Sequence, residues 1–440
     1  MVTLGVDRLL HEPGVSPGWV SSGRRLGLLT SRGAMAGPAA AASTTLRALL
    51  DAGVPLVRLF SPEHGLSAQA RDGVPVSNGV DGRTGLPVVS LYGRKLTPPT
   101  ETLADLDGVL VDIQDVGVRF YTYARTMQHL MVSCAENRVP LAVLDRPNPL
   151  GGKPKHVEGP LPDPGLPTSF LCPWSFPVRH SLTLGEMALL LREEMNLTLD
   201  LTIVGMEGWK REMFWPDTGL PFHPPSPGLP GVQGVFFYPG LALLEATNVH
   251  EGRGTSLSFQ WFGAPWMDGE RVAGVLEGAG LPGMSVRALA LEGLELPGRT
   301  AGEGVPAGPP HSGHPGRQTG PENPVEARVG QHPEGGARRA RECPGVFLEA
   351  RDPGALRPVA AGLRILALLR TLFPGDFSWQ AYPTWVNPSG ESHLLHLLRS
   401  RRLVRLLEEE PEALLEGDLL ERQTRAPGWW ARTRPFLLYS

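Results

Sequence analysis

Cysteine is scarce in this 440-residue chain: Cys134, Cys172 and Cys343 are its only three and lie far apart. An odd number without CxxC spacing supports neither a disulfide framework nor a zinc site. Charge of one sign is also lacking. The formal net charge of -4 offers no basic surface for a polyanion, which argues against nucleic-acid binding. No apolar run is long enough to span a bilayer, and MVTLGVDRLLHEPG lacks the basic and apolar regions of a signal peptide. As written, the chain reads as cytoplasmic; a truncated N-terminus would make a periplasmic or secreted location the expectation. The usual motifs fail as well. No GxGxxG follows a strand, no HExxH is present, Gly151-Gly152-Lys153 runs into Pro154, and the GxSxG at Gly14–Gly18 has no strand before it. Dinucleotide, phosphate-loop, zinc-protease and serine-esterase chemistry therefore find no support, and no metal or organic cofactor is implied.

Short apolar runs ending in polar or glycine-rich turns are plentiful. Residues 25–30, 54–60, 108–113 and 141–144 read as strands of a parallel sheet buried on both faces. Residues 44–50 and 123–137 read as helices between them. The alternation predicts an α/β chain with an N-terminal Rossmann-like domain over residues 1–228. From about residue 229 the pattern changes. Val235–Tyr238, Leu257–Phe262 and Ser285–Leu289 look like strands, and Leu394–Leu420 is leucine-rich and helical. A smaller, mixed α+β C-terminal domain over residues 229–440 is expected. Within it, Pro297–Glu342 has no Leu, Ile, Met, Phe, Tyr or Trp and is crowded with Gly, Pro, Arg and His. Such a tract cannot bury enough apolar surface to order itself, and is expected to be either a disordered insertion or a locally wrong translation frame.

In open α/β sheets the ligand crevice lies beyond the carboxyl ends of the strands, where the polar clusters of this chain fall. Ser61-Pro62-Glu63-His64-Gly65 ends the second strand, where a carboxyl can be desolvated toward its protonated form and His64 can contact a sugar. The third strand runs into Gln114, Asp115, Arg119, Tyr121 and Tyr123, a mixture suited to hydroxyls and ring faces. The fourth ends in Asp145, Arg146 and Asn148, stiffened by Pro147 and Pro149. His180 follows in PVRH, and Asn248, Glu251 and Arg253 open the second domain. A non-catalytic reading stands beside each: a solvated turn glutamate at Glu63, and an internal Asp115–Arg119 pair.

SPEHG, DIQDVGVRFYTY, LDRPNPLGG, VEGP, PVRHSLTLGE, MEGWKR, TGLPFHPPSPGLP, YPGLALLEATNVHEGRGT and GAPW occur in this order. In that series the chain resembles the exo-β-N-acetylmuramidase (NamZ) glycosidase family, from about residue 20 to 268 and again from Arg341 to the C-terminal RPFLLY. The resemblance implies a Rossmann-like catalytic domain with a smaller domain closing its cleft, and exo-cleavage of β-1,4-linked N-acetylmuramic acid from peptidoglycan disaccharides or glycan fragments. It makes Glu63 the catalytic residue. Asp115 is expected to be the assisting carboxylate unless the substrate's own N-acetyl group serves as nucleophile. A cation should meet the lactyl carboxylate, with Arg119, Arg146 and Arg253 as candidates. Gly228, Ala246 and His250 depart from the family pattern. The alternative is an amino-sugar-binding protein that keeps the scaffold and lacks the chemistry. From strand-end placement, Glu63, Asp115, Arg119, Asp145 and His180 are expected to converge in one cleft.

Overall fold

A computed structural model describes residues 1–21, 23–37, 42–93, 95–292, 294 and 342–440. Of the tract expected to be irregular, all but Glu342 lies outside the described residues.

The helix Gly5–His11 (α1) precedes the first strand, Leu26–Thr30 (β1). Thr45–Asp51 (α2) follows, and then Leu56–Ser61 (β2), Gly79–Val80 (β3), Pro87–Ser90 (β4) and Gly108–Asp112 (β5). Tyr123–Asn137 (α3), Leu141–Leu144 (β6), Leu184–Glu194 (α4) and Leu201–Val204 (β7) complete the N-terminal part. These seven strands form one sheet in the order β3-β4-β2-β1-β5-β6-β7. All neighbours are parallel except the short β3. The central strands β1, β5 and β6 are buried at every residue, as strands covered on both faces must be. The α/β class expected from the alternation is thus the fold found, and the four expected strands appear within two residues of their predicted bounds. Helix α4 begins with a capping box: Thr183 accepts from the Glu186 N–H while Glu186 accepts from that of Thr183.

The C-terminal part is smaller. Val232–Leu241 (α5), Trp261–Gly263 (β8), Gly269–Gly278 (α6), Met284–Ala288 (β9), Gly345–Ala350 (β10) and Pro358–Leu372 (α7) come first. His393–Leu398 (α8) and Arg401–Glu409 (α9) follow. Its sheet, ordered β8-β10-β9, is antiparallel throughout. Two expected strands are corrected. Val235–Tyr238 lies inside α5, because a helix buried all round shows no polar face and its apolar run mimics a strand. Of Leu257–Phe262 only the end is extended: positive-φ residues Gly252, Gly254 and Phe259 turn the chain before β8. The leucine-rich C-terminal stretch breaks between α8 and α9 at Arg399, which takes a left-handed φ of 57°.

The two parts share one continuous apolar cluster running from Leu29 to Trp429. Helices α5 and α7 cross through glycine: a Cβ on Gly362 would lie 2.4 Å from the Gly240 carbonyl oxygen, and one on Gly240 2.0 Å from that of Pro358. No side chain can fit between backbones so close. Gly362→Ala is therefore expected to destabilise the protein by at least about 1–3 kcal/mol, the usual cost of overpacking. Chemical denaturation measures this; unchanged stability would show that the helices separate freely.

Candidate active site

A cleft of about 620 Å³ opens at the carboxyl ends of β2 and β4 and is roofed by C-terminal segments. Its wall includes Glu63, His64, Asp72, Tyr92, Tyr121, Thr122, Ser226, Tyr238, Glu245, Arg253, Tyr382 and His393.

Glu63 is reached from β2 through Pro62. The turn closes by a Gly65 N–H to Pro62 O bond of 3.0 Å, with His64 in the left-handed region at φ 69°. This conformation is uncommon for a residue with a side chain, and local bonds hold it. The His64 carbonyl accepts from the N–H groups of Gln69 and Ala70, each at 3.2 Å, and its Nδ1 lies 2.8 Å from Ala70 O. A carbonyl only accepts, so Nδ1 carries the hydrogen and a neutral His64 keeps Nε2 as an acceptor. The chain thereby folds back, and Gly73 N–H donates to Glu63 Oε1 at 2.7 Å. Thr122 Oγ1 donates to Glu63 Oε2 at 2.6 Å. Thr122 occupies the position that would cap the 15-residue helix α3, yet its hydroxyl goes to Glu63 instead. The glutamate thus sits at a helix N-terminus, where unpaired N–H groups favour negative charge. Burial, with the Glu63 carboxylate beside it, pushes the Tyr92 hydroxyl well above the usual tyrosine range.

On the opposite wall, the Arg253 guanidinium meets the carboxylates of Asp72 and Glu245 and the Tyr382 hydroxyl, with Glu251 Oε1 at 3.5 Å from Nε. Burial works against the Asp72 anion, but Arg253 and the Tyr382 hydroxyl outweigh it and hold the carboxyl below its usual range. Burial likewise opposes the Glu245 charge, and Arg253 and His393 overcome it. His393 Nε2 lies 3.0 Å from Glu245 Oε2, and its ring stacks on Tyr382 with centroids 4.6 Å apart. Among the described residues no group of three or more His, Cys, Asp or Glu is arranged to hold a metal ion.

Of the residues singled out in the sequence, Glu63, His64, Tyr121 and Arg253 line this cleft. Asp115, Arg119, Asp145 and His180 are not among its lining residues, and each makes internal bonds. Asp115 Oδ2 accepts from Gly117 N–H at 2.7 Å and lies 3.8 Å from His180 Nε2. Burial raises Asp115 to about 7 and lowers His180 to about 3, so this pair is not a ready ion pair. Arg119 donates to the carbonyls of Pro160, Phe176, Leu397 and Leu398, stitching the N-terminal part to α8. Asp145 accepts from Thr183, Gly185 and Tyr439. Arg146 pairs with Asp112 beneath the strand ends and also reaches Met35 O and Thr45 Oγ1. Gln114 and Asn148 stitch neighbouring loops through Pro147 O and Leu182 O, and Tyr123 donates to Pro225 O at 2.6 Å. Asn248 bonds Asp376 O and the Ser378 N–H, while Glu251 stands behind Arg253. Neither Arg119 nor Arg146 is among the residues that line the cleft.

Asp72, Tyr92, Ser226, Tyr238, Glu245, Tyr382 and His393 were not singled out in the sequence, although Ser226, Tyr238 and Glu245 lie within the quoted motifs. Tyr92 carried a signal, standing two residues beyond β4. The others come from loops and from the C-terminal part, where no periodicity marks them.

Comparison with known proteins follows the same lines. Residues 26–233 match the family described as Exo-beta-N-acetylmuramidase NamZ, N-terminal, and residues 236–302 its C-terminal counterpart. The chain is 36% identical over 383 residues to the peptidoglycan beta-N-acetylmuramidase NamZ of Bacillus subtilis (strain 168), covering 86% of this chain and 80% of that protein. It is also similar to the crystal structure of a DUF1343 family protein from Bacteroides fragilis NCTC 9343. The TM-score is 0.74 at 26% identity, covering 100% of this chain and 99% of the other. A second DUF1343 structure from that organism shares the fold, with a TM-score of 0.64, 24% identity and the same coverage.

The buried Arg146–Asp112 pair distinguishes a structural from a ligand-binding arginine. Arg146→Ala strands Asp112 in the core, which is expected to cost about 3–5 kcal/mol of stability. Denaturant unfolding measures it. Unchanged stability together with a raised KM would return Arg146 to the site.

Proposed function

The chain belongs to the exo-beta-N-acetylmuramidase NamZ family, and we propose that the cleft around Glu63 is where it removes terminal β-1,4-linked N-acetylmuramic acid from peptidoglycan fragments. The protein is a glycosidase. The observation that carries the site assignment is Glu63: a buried carboxyl on the cleft wall, with one oxygen on Gly73 N–H and the other on Thr122 Oγ1.

In this reading Glu63 gives its proton to the glycosidic oxygen as the C1–O bond breaks, and the remaining glycan leaves as an alcohol. The charge left on Glu63 is met by Gly73 N–H, the Thr122 hydroxyl and the start of α3. The cleft wall carries two further carboxylates, Asp72 and Glu245. Both are bonded to Arg253, and Asp115 does not line the cleft. We therefore assign attack at C1 to the substrate's acetamido oxygen, as in substrate-assisted glycosidases. Water then adds to C1, Glu63 takes its proton, and the acetamide is restored. Tyr121 and Tyr238 supply apolar surface for the ring.

Among the described residues no helix is long and apolar enough to cross a membrane. We place the reaction on released fragments, within cell-wall turnover or recycling.

Glu63→Gln keeps the shape but cannot donate a carboxyl proton. A loss of about a hundredfold to ten-thousandfold in kcat is expected on the muramic-acid-terminated disaccharide. The loss should be smaller on an aryl β-N-acetylmuraminide with a good leaving group. Wild-type protein should prefer that glycoside over the matching glucosaminide. Near-normal turnover of the disaccharide by Glu63→Gln would remove Glu63 from the chemistry.

A further inference from the structure

The cleft holds a group of charges that the chemistry above does not use directly. Arg253 lies among Asp72, Glu245 and Glu251, three carboxylates around one guanidinium. A half-buried guanidinium bonded to several carboxylates is a firm anchor, because each charge-assisted hydrogen bond fixes its position. The question is what it anchors.

Asp72 comes from the loop that follows Glu63, whereas Arg253, Glu245, Tyr382 and His393 all come from the C-terminal part. Asp72 Oδ2 accepts from Arg253 and from Tyr382 Oη, the latter at 2.8 Å. The next residue, Gly73, is held on its other side: its carbonyl accepts from Trp385 N–H at 2.9 Å. It has a left-handed φ of 68°, and a Cβ there would stand 3.0 Å from Thr384 Cβ. The peptide joining Asp72 to Gly73 is therefore fixed by a carboxylate on one side and a carbonyl on the other. The N–H of that peptide, carried by Gly73, donates to Glu63 Oε1.

We propose that Asp72 and Arg253 are positioning residues for Glu63: the guanidinium clamps the Asp72 carboxylate, and the clamp sets the neighbouring Gly73 N–H against the catalytic oxygen. The C-terminal part thus both roofs the cleft and orients the acid. This inference rests on Glu63 being the acid. It moves Arg253 from ligand binding, where the sequence put it, to support of the chemistry.

Asp72 is the better probe, because removing Arg253 would strand three acids. Asp72→Ala should lower kcat on the disaccharide by about ten- to a hundredfold with little change in KM, and by less on the activated aryl muraminide. In a Glu63→Gln background the same substitution should add less than about twofold, because residues acting through one group are not additive. Asp72→Asn, which still offers Arg253 an oxygen, should fall between Asp72→Ala and wild type, and serves if the alanine variant does not fold. A crystal structure of the variant reads the geometry without activity. Gly73 N is expected to move out of hydrogen-bond distance of Glu63. An Asp72 variant with normal kcat, or with Gly73 still bonded to Glu63, overturns the proposal. So does an undiminished loss in the Glu63→Gln background, which would mean that Asp72 acts on the sugar itself. A wild-type protein without muraminidase activity would instead overturn the functional reading, leaving the structure of the variant to judge the clamp.

Discussion

A parallel sheet covered on both faces can present polar chemistry only where its strands end. That constraint organises this protein. Strands β1, β5 and β6 are buried along their whole length, so the residues that follow them must satisfy their polar groups internally or face a cleft. Most take the first course. Asp112 and Arg146 neutralise each other with Thr45 bonded to both, while Asp145 ties α4 and the C-terminal Tyr439 to the end of β6. The ends of β2 and β4 take the second course and supply Glu63 and Tyr92 to the cleft wall. Those networks in turn give Glu63 a rigid frame, since Thr122 and α3 stand on the stitched loops of β5 and β6.

The C-terminal part completes the site. Arg119 reaches the carbonyls at the end of α8, and Trp385 Nε1 donates to Gly93 O at 2.9 Å. With the Asp72–Arg253 pair, these contacts bind the roof to the N-terminal sheet at the cleft itself. A low-dielectric enclosure strengthens every hydrogen bond made to Glu63 and to a bound sugar. It also explains why so many polar groups near the site, such as Arg119 and Arg253, are engaged with protein partners.

Much of this was legible in the sequence, though unevenly. Continuous apolar runs with strand-end turns disclosed β1, β2, β5 and β6, because burial on both faces leaves a simple pattern. The same simplicity misled at Val235–Tyr238, where an all-round buried helix leaves an identical run. Glu63 was legible because strand-end position and the SPEHG motif agree. Asp115, Arg119, Asp145 and Arg146 shared the position but do not line the cleft. Whether a strand-end carboxylate faces a cleft or a neighbouring loop depends on partners such as Gly117, Thr183 and Thr45, and periodicity does not encode them. Asp72, Tyr382 and His393 were invisible for a related reason: they meet across 310 residues and more of chain, through loops without a repeating pattern.

The central claim is that a terminal muramic acid binds with its glycosidic oxygen at Glu63. The most direct measurement is a crystal structure of Glu63→Gln soaked with N-acetylmuramyl-β-1,4-N-acetylglucosamine. The muramic ring is expected inside the cleft against Tyr121 and Tyr238, with the glycosidic oxygen about 3 Å from the residue-63 amide. The acetamido group should lie folded beneath C1. A disaccharide bound instead beside Asp115 and His180, or with its glycosidic oxygen far from residue 63, would contradict the account.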